Sequence, residues 1–199
     1  MYLTTMQIEP AKEGYLLAPE RIMLRHSWIS DSLKQMGQRP MRYLWRIEKR
    51  QENYYLILLS ETLPNTQVLN RFGIAKTALT VFYQIDLKLK QQYAFKLVAN
   101  PTKRISQTHK IVQLTSVNEQ LTWLKQKAKK AGFNLAAFNI TEQNKVTLAH
   151  NQQKPTILQS VTFTGKLEIT DLTAFKKALT HGLGREKAYG FGLLTIKAV

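Results

Sequence analysis

The feature that most constrains the fold of this chain is an order of hydrophobic patterns that occurs twice along its 199 residues. In the first half the patterns predict a strand, a helix, two strands that form a hairpin, a helix and a strand. The first helix begins at Pro19, a residue favoured in the first helical turn, and its apolar stripe runs to Met36, near the end at Gly37. The predicted segments are 2–8, 19–37, 42–48, 54–59, 66–72 and 81–89.

The second half repeats this order. Alternating apolar residues predict a strand that stops at Asn100-Pro101, and Ser116 with Glu119 has the form of a capping box at the start of a helix. Gly132 ends that helix. The remaining segments are a hairpin formed by 133–140 and a stretch that starts at Lys145, a long strand 156–169, a helix 171–180 and a closing strand 193–196.

Two such units predict an α+β fold made of two tandem ferredoxin-like (RRM-like) βαββαβ domains. Polar residues interrupt two strand patterns between Lys90 and Gln92. We therefore expect an N-terminal domain over 1–90 and a C-terminal domain over 91–199. The repeat is one of pattern, since the halves share no clear residue identity.

The charge of the chain indicates its partner. Lysine and arginine number 29 against 13 acidic residues, which gives a formal charge of +16. An excess of this size attracts phosphate backbones and raises encounter rates with polyanions. It favours a nucleic-acid-binding protein and leaves a basic ribosome-associated protein as an alternative.

The composition also bears on cofactors and location. The chain has no cysteine, which excludes disulfides and thiolate metal sites, and its four histidines lack the close spacings of a metal site. We therefore expect no metal and no cofactor. No apolar run is long enough to span a bilayer and no signal segment follows Met1, so we expect a cytoplasmic protein without a membrane partner.

Three groups of basic residues in the second half are candidates for RNA binding. Lys103, Arg104 and Lys110 precede the capped helix, and four lysines lie on it, Lys125, Lys127, Lys129 and Lys130. Each group has the alternative interpretation of a solvated charged surface. Three groups in one half favour nucleic acid.

The third group lies in a glycine-rich loop over 182–192, which holds four of the nine glycines of the chain. Glycine lets a ligand approach the backbone, and Arg185 and Lys187 add positive charge. A helix precedes the loop and a strand follows it, the reverse of nucleotide-binding loops, so we predict a site for an extended anion. The four glycines are Gly182, Gly184, Gly190 and Gly192.

His26 is the candidate for catalysis, because an imidazole can take or give protons at neutral pH. RNA carries its own nucleophile, the ribose 2′-hydroxyl, so a histidine aided by cations can cut it without a metal. Arg21, a candidate RNA contact, and Arg25 lie one helical turn apart beside His26. The alternative is a core histidine, because His26 falls on the apolar stripe that contains Ile22 and Ile29.

Several segments have the form of family landmarks in the expected order. They are MYL at 1–3, HSWI at 26–29, YLWRI at 43–47, FKLVANP at 95–101, WL at 123–124 and GLGREKAYGFGLL at 182–194. On these segments the whole chain resembles the CasE family, the CRISPR repeat-RNA processing endoribonucleases of type I-E systems within the RAMP superfamily.

The resemblance implies two ferredoxin-like domains that bind a CRISPR repeat RNA hairpin. It implies metal-independent cutting at the 3′ base of the hairpin by attack of the ribose 2′-hydroxyl, and retention of the mature guide RNA. It also implies partners, the other subunits of the type I-E surveillance complex. By residue, the catalytic histidine of the family corresponds to His26 and its glycine-rich loop to 182–192.

One position departs from the family pattern. Some members carry a tyrosine three residues before the catalytic histidine, whereas this chain has Met23. The second catalytic group is therefore open, with Arg25 as a candidate for an electrostatic substitute. The departure keeps an alternative function in view, a hairpin-binding scaffold subunit without catalytic activity.

Overall fold

The computed structural model describes residues 1–34, 41–148 and 155–199. The first half forms strands β1 to β4 and helices α1 to α3, and a short 3₁₀ turn, Pro19–Arg21, precedes α2. In chain order the elements are β1 (Tyr2–Gln7), α1 (Pro10–Leu17), α2 (Ile22–Leu33), β2 (Tyr43–Arg50), β3 (Asn53–Ser60), α3 (Thr66–Leu69) and β4 (Leu79–Phe82). The predicted helix end at Met36 and Gly37 lies outside the described residues.

The second half begins with a strand of its own sheet and carries a small additional hairpin before its first helix. In chain order its elements are β5 (Gln92–Ala99), β6 (Thr102–Arg104), β7 (Ile111–Gln113), α4 (Val117–Lys130), β8 (Phe133–Leu148), β9 (Thr156–Ile169), α5 (Leu172–His181) and β10 (Leu194–Ala198). Strands β6 and β7 pair with each other, apart from the large sheets.

Each half builds one four-stranded antiparallel sheet of the same topology. The spatial order is β2-β3-β1-β4 in the first sheet and β10-β5-β9-β8 in the second. In both cases the first and third strands of the unit are central and the second and fourth are at the edges. This is the arrangement of a ferredoxin-like unit, so the predicted tandem ferredoxin-like fold is confirmed.

Helices cover one face of each sheet and bury the apolar side chains that gave the sequence its periodicity. In the first unit Trp28 and Ile29 of α2 pack against Leu58 of β3, and in the second Leu124 of α4 packs in the cluster that contains Phe163 of β9. Burying a side chain of this size stabilises a fold by about 1.5–3 kcal/mol. These contacts fix the helices on which the site is built.

The predicted cap of α4 is confirmed. Ser116 Oγ accepts a hydrogen bond from the backbone N–H of Glu119 at 3.3 Å and donates to the Glu119 carboxylate at 3.0 Å. Helix α5 begins in the same way, because the Asp171 carboxylate accepts from the N–H of Ala174 at 3.0 Å. Both caps satisfy backbone donors that the helix itself leaves unpaired.

Two predicted strands differ from the structure. The strand predicted over 81–89 is confined to Leu79–Phe82. Apolar residues continue to alternate beyond it because Tyr83 and Leu87 pack against apolar clusters as the chain crosses to the second unit. The hairpin predicted within 133–148 is one continuous strand, β8, which pairs with β9 along its length and has two register irregularities. In its exposed polar part β8 is held as a strand by backbone hydrogen bonds to β9, because this part has no alternating apolar residues.

Candidate active site and nucleic-acid interface

His26 lies where three elements meet: helix α2, the start of β2 and the glycine-rich loop. Its Nδ1 is 3.3 Å from the hydroxyl oxygen of Tyr43, the first residue of β2. The ring of Tyr189, from the loop, stands edge-on to the imidazole with a centroid distance of 5.9 Å. His26 is half-buried and is not among the buried residues of α2, so it is not a core histidine.

Helix α2 is held in this position by its buried face. Trp28 Nε1 donates to the carbonyl oxygen of Val68 on α3 at 3.1 Å, and its ring stacks edge-on against Phe72. Ile22 and Leu33 are buried at the two ends of the helix. Because these anchors define the rotation of the helix, His26 comes to the edge of the buried face, within reach of Tyr43.

The glycine-rich loop packs closely against both units. Trp45 Nε1 donates to the carbonyl oxygen of Ala188 at 3.1 Å, and the Trp45 ring lies over Gly190, where a Cβ atom would come within 3.1 Å of it. Gly190 has a φ of 89°, which also favours glycine. A Cβ atom on Gly192 would lie 2.7 Å from the carbonyl oxygen of Leu183. These two glycines therefore permit the close packing that places Tyr189 on His26.

Several of the loop amides are committed inside the protein. The N–H groups of Gly182, Gly190 and Gly192 donate to the carbonyl oxygens of residues 178, 187 and 98. Gly184 lies against the Trp123 ring, at a position where a Cβ would be 3.2 Å from it. The loop also offers an anion two cationic side chains, the exposed Arg185 and the half-buried Lys187.

A groove of about 510 Å³ lies between α4, α5 and the loop, and its polar lining is cationic. Its basic residues are Lys127, Lys130, Lys177, His181 and Lys187. A second recess, of about 370 Å³, shares His181 and Lys187 with the groove and adds Arg42 and Tyr43. We call the two together the α4–α5 groove. Its far end is formed by Tyr43, the hydrogen-bond partner of His26.

The cations of the α4–α5 groove repel one another. Burial and then Lys130 and Arg185 lower the pKa of Lys127, and burial and then Arg42 and Lys127 lower the pKa of Lys187. Burial, followed by Arg42 and two lysines, lowers the pKa of His181. None of the ion pairs found within the described ranges involves Lys127, Arg185 or Lys187. A bound polyanion would relieve this repulsion.

The hairpin β6–β7 forms a further basic surface beside α4. Lys103 and Arg104 line a groove of about 510 Å³ that also contains Trp123 and Lys127. The Lys103 ammonium pairs with the Glu119 carboxylate at 2.8 Å, and Arg104 Nε donates to the His109 carbonyl oxygen. Lys127 lines both grooves, so the basic surface continues across α4.

Three other predicted RNA contacts lie outside these grooves or at their margin. Lys125 Nζ stands over the Phe138 ring at 5.8 Å, on the side of α4 that faces β8. Lys129 is exposed on α4, and Lys110 is exposed on the loop of the β6–β7 hairpin. None of the three lines a groove found among the described residues.

Arg21 and Arg25 contact α1. The Arg25 guanidinium donates to the carbonyl oxygens of Leu16 and Ala18 at 2.7 and 3.0 Å. Burial lowers the pKa of Arg25 to about 10, although Glu20 opposes the shift. Arg21 stacks over the Tyr15 ring with its Cζ 4.5 Å from the centroid. We predicted both arginines beside His26 as site residues. In the structure their contacts hold the junction of α1 and α2.

Sequence reasoning missed much of the α4–α5 groove. The residues missed are Arg42, Tyr43, Lys177 and His181, whereas Lys127 and Lys130 belong to the predicted lysine group of α4. Spacing carried part of the signal, since the two α4 lysines are three residues apart and the two α5 residues four apart, which places each pair on one helix face. Tyr43 belongs to the segment YLWRI at 43–47, but nothing in that segment marked it as a site residue.

Two observations concern membranes and metals. No helix in the described parts of the chain is long and apolar enough to cross a membrane. Within the same residues no group of three or more histidine, aspartate or glutamate side chains is placed to hold a metal ion.

Fold and site together define a class: a tandem ferredoxin-like protein with a cation-lined groove that contains Tyr43, the hydrogen-bond partner of His26. A family model described as CRISPR associated protein matches residues 1–198. The chain therefore belongs to this CRISPR-associated family, in agreement with its resemblance to CasE.

Known relatives match over most of the chain. CRISPR-associated endoribonuclease Cse3 of Thermus thermophilus is 28% identical over 98% of this chain and 99% of its own length. The Cascade subunit CasE of Escherichia coli K12 is 27% identical over 77% of this chain and 80% of its own length. A structure of T. thermophilus Cse3, bound to an RNA representing a pre-cleavage complex, superposes with a TM-score of 0.83 at 27% identity, covering 98% of each chain.

Proposed function

We propose that this protein is a CRISPR repeat-RNA processing endoribonuclease that cuts at the 3′ base of the repeat hairpin. The observation that carries the proposal is the position of His26, hydrogen-bonded to Tyr43 at the end of the α4–α5 groove. The groove supplies cations for an RNA backbone and the histidine supplies a group for proton transfer. The activity named for Cse3 and its RNA-bound structure support the same reaction.

The chemistry requires no metal in this proposal. His26 takes the proton of the ribose 2′-hydroxyl as its oxygen attacks the adjacent phosphorus. The new O2′–P bond replaces the P–O5′ bond, the departing 5′-oxygen takes a proton from water, and the upstream fragment ends in a 2′,3′-cyclic phosphate. Proton transfer by a positioned side chain contributes about 10²- to 10⁴-fold to the rate.

Cations must stabilise the additional negative charge on the phosphate during this step. We assign this role to Arg42 and Lys187, because both line the recess that contains Tyr43. The role predicted for Arg25 remains a prediction. Its guanidinium already binds two backbone carbonyls, which argues that it positions the start of α2 instead.

The stem of the hairpin is held, in this account, by the basic surface of the second unit. That surface runs from Lys103 and Arg104, across Lys127, to Lys187, and Arg185 is near enough to Lys127 to lower the pKa of its ammonium. His26 belongs to the first unit, so cutting at the base of the stem leaves most charge contacts on the hairpin product. Product release would then limit turnover. With RNA in several-fold excess, cleavage should stop near one RNA per protein, and linear turnover beyond several equivalents would rule out retention.

A partner assembly follows from the same proposal. The relative CasE of E. coli is named as a subunit of Cascade. A protein that remains on its product would carry the guide RNA into such a complex, and we propose the other subunits of a type I-E surveillance complex as partners. Cytoplasmic location remains an expectation from the sequence.

One observation favours the alternative, a hairpin-binding scaffold without catalytic activity. Met23, which stands where some family members have tyrosine, packs against an apolar cluster that contains Ile22 and Phe191. That position cannot supply an acid or a base. The scaffold would bind a repeat hairpin and leave it intact.

The deciding experiment uses a labelled repeat RNA, with the products resolved by size in excess chelator. Wild-type protein should cut the RNA once. His26→Ala should lose about 10²- to 10⁴-fold of the rate and retain hairpin affinity. Binding without cleavage by the wild type would establish the scaffold, and equal binding of unstructured RNA would favour a general basic protein. Cleavage at the wild-type rate by His26→Ala would remove His26 from the mechanism.

A further inference from the structure

Tyr43 is the side chain that contacts a nitrogen of the proposed catalytic imidazole. The distance from its hydroxyl oxygen to His26 Nδ1 is 3.3 Å. No other hydrogen bond of the His26 ring is found within residues 1–34, 41–148 and 155–199. The second aromatic neighbour, Tyr189, meets the imidazole with its ring edge. The chemical state of His26 Nδ1 is therefore governed by one residue from another element.

We infer that Tyr43 is the positioning residue of the proposed reaction: its oxygen accepts the Nδ1–H of His26 and so leaves Nε2 unprotonated for the 2′-hydroxyl proton. The inference rests on the proposed function and adds a residue to it. It also accounts for Met23, which stands where some family members have a tyrosine. In this chain the tyrosine beside the histidine would come from β2 instead of α2.

The direction of the hydrogen bond follows from what the base must do. A neutral imidazole has one N–H and one lone pair, so a proton on Nδ1 leaves the lone pair on Nε2. When Nε2 takes the substrate proton, both nitrogens become donors. The Tyr43 oxygen then continues to accept from Nδ1. One geometry serves both protonation states, whereas donation from Tyr43 to Nδ1 would have to reverse during the reaction.

The surroundings of Tyr43 fit this role. Burial raises the pKa of Tyr43, although a hydrogen bond with Ser30 opposes the shift. The hydroxyl therefore remains protonated at neutral pH and has its own O–H to donate elsewhere. Tyr43 also lines the recess that contains Arg42 and Lys187, so the residue that holds the imidazole stands beside the cations assigned to the phosphate.

The first test measures the tautomer of the His26 imidazole directly in the full-length protein without RNA. Two-bond ¹H–¹⁵N correlation spectra of histidine-labelled protein distinguish the Nδ1–H form from the Nε2–H form, and His26→Ala assigns the signal. At a pH where the ring is neutral in the same titration, the wild type should show Nδ1–H. A predominant Nε2–H form in the wild type would overturn the inference without any further variant.

The second test removes the hydroxyl and keeps the ring. Tyr43→Phe should shift the His26 tautomer away from Nδ1–H and lower the single-turnover cleavage rate by about 3- to 10-fold, the worth of one ordinary hydrogen bond. Hairpin affinity should stay within about 2-fold. The matched control is Tyr2→Phe, which removes a phenolic hydroxyl on β1 where the ring packs edge-on against Phe82. It should change neither quantity.

The outcomes separate this inference from the proposed function. If Tyr43→Phe keeps the wild-type tautomer and rate while His26→Ala is inactive, the inference fails and the proposed function stands. If His26→Ala cuts RNA normally, the proposed function itself fails. If Tyr43→Phe melts well below the control, its lower rate could reflect unfolding. The tautomer of His26 in the wild type then decides whether the inference holds.

Discussion

Arg46, on β2 of the first unit, donates from Nη1 to the carbonyl oxygen of Leu193, the residue before β10 in the second unit, over 3.1 Å. Its Nη2 donates to Thr195 Oγ1 at 2.8 Å, and its Nε pairs with the Glu48 carboxylate at 2.9 Å. Lys96 of β5 reaches the same carboxylate at 3.2 Å. This ion cluster joins the strand that carries Tyr43 to the sheet that carries the glycine-rich loop.

Removing Arg46 should therefore be costly. Arg46 is 4% exposed, and Arg46→Met would leave Glu48 with Arg50 and Lys96 as its partners and the buried carbonyl of Leu193 without its donor. We expect a loss of about 3 kcal/mol in the free energy of unfolding, at the lower end for a broken buried pair because Lys96 still contacts Glu48. Urea unfolding measures it.

The control is Arg50→Met. Arg50 pairs with the same carboxylate at 2.7 Å but its side chain is 50% exposed. Its removal should cost less than about 1 kcal/mol. Equal losses in the two variants would show that the contacts of Arg46 across the two sheets add nothing.

The same cluster predicts how stability depends on pH. Burial raises the pKa of Glu48, but Arg46, Arg50 and Lys96 outweigh it and hold the pKa at about 2, against an ordinary value of 4.5. A carboxylate with a depressed pKa stabilises the fold above its unfolded pKa, and this contribution is lost as pH falls through the folded pKa. We expect a loss of about 3 kcal/mol between pH 5 and pH 2 from this group.

Glu48→Gln tests the assignment. The variant should be less stable than the wild type at pH 6, and the difference should shrink as the pH falls toward about 2. Urea unfolding at several pH values gives both curves. A difference that stays constant with pH would mean that other carboxylates cause the acid sensitivity.

Gly190 should tolerate no side chain. Gly190→Ala combines a φ of 89° with a Cβ 3.1 Å from the Trp45 ring, and we expect a loss of about 1–3 kcal/mol together with weaker hairpin cleavage, because Tyr189 and its contact with His26 would move. Gly14→Ala is the control. Gly14 lies in α1 with no atom near its Cβ position, so alanine should add about 0.5–1 kcal/mol. Thermal melting that ranks the two variants the other way would refute this account of the loop.

Cations of the α4–α5 groove and of the adjoining glycine-rich loop should control the salt dependence of RNA binding. Lys127→Ala and Arg185→Ala should each reduce the slope of log affinity against log salt by about 1, since each removes one phosphate contact. Lys76→Ala is the control, because Lys76 lies on a 3₁₀ turn of the first unit, between α3 and β4. Slopes that fall equally in all three variants would indicate a diffuse charge effect instead of a defined groove.

Much of the fold was predictable because local patterns dictate it. The strand β5 alternates between buried and partly exposed residues, and the caps Ser116 and Asp171 stand at the starts of their helices. Helix α1 was missed, since Leu16 is its one fully buried residue and Gly14 weakens the helical signal. The domain boundary near residue 90 stays a prediction.

The site was predictable in its histidine and its loop, but not in the relation between them. His26 and Tyr43 are 17 residues apart on different elements, and no periodicity links them. The glycines suggested an anion site, whereas three of their amides bind carbonyls of the protein and their packing against Trp45 places Tyr189. Tertiary contacts of this kind leave no mark in a single sequence.

The most direct measurement concerns the nucleophile. The cut is first located with an all-ribose repeat hairpin, and the nucleotide that precedes it is then replaced by its 2′-deoxy form. The account predicts that the deoxy hairpin binds with unchanged affinity and is not cut, in chelator or in magnesium, while the ribose hairpin is cut once to leave a cyclic phosphate. Efficient cleavage of the deoxy hairpin at the same position would contradict the account.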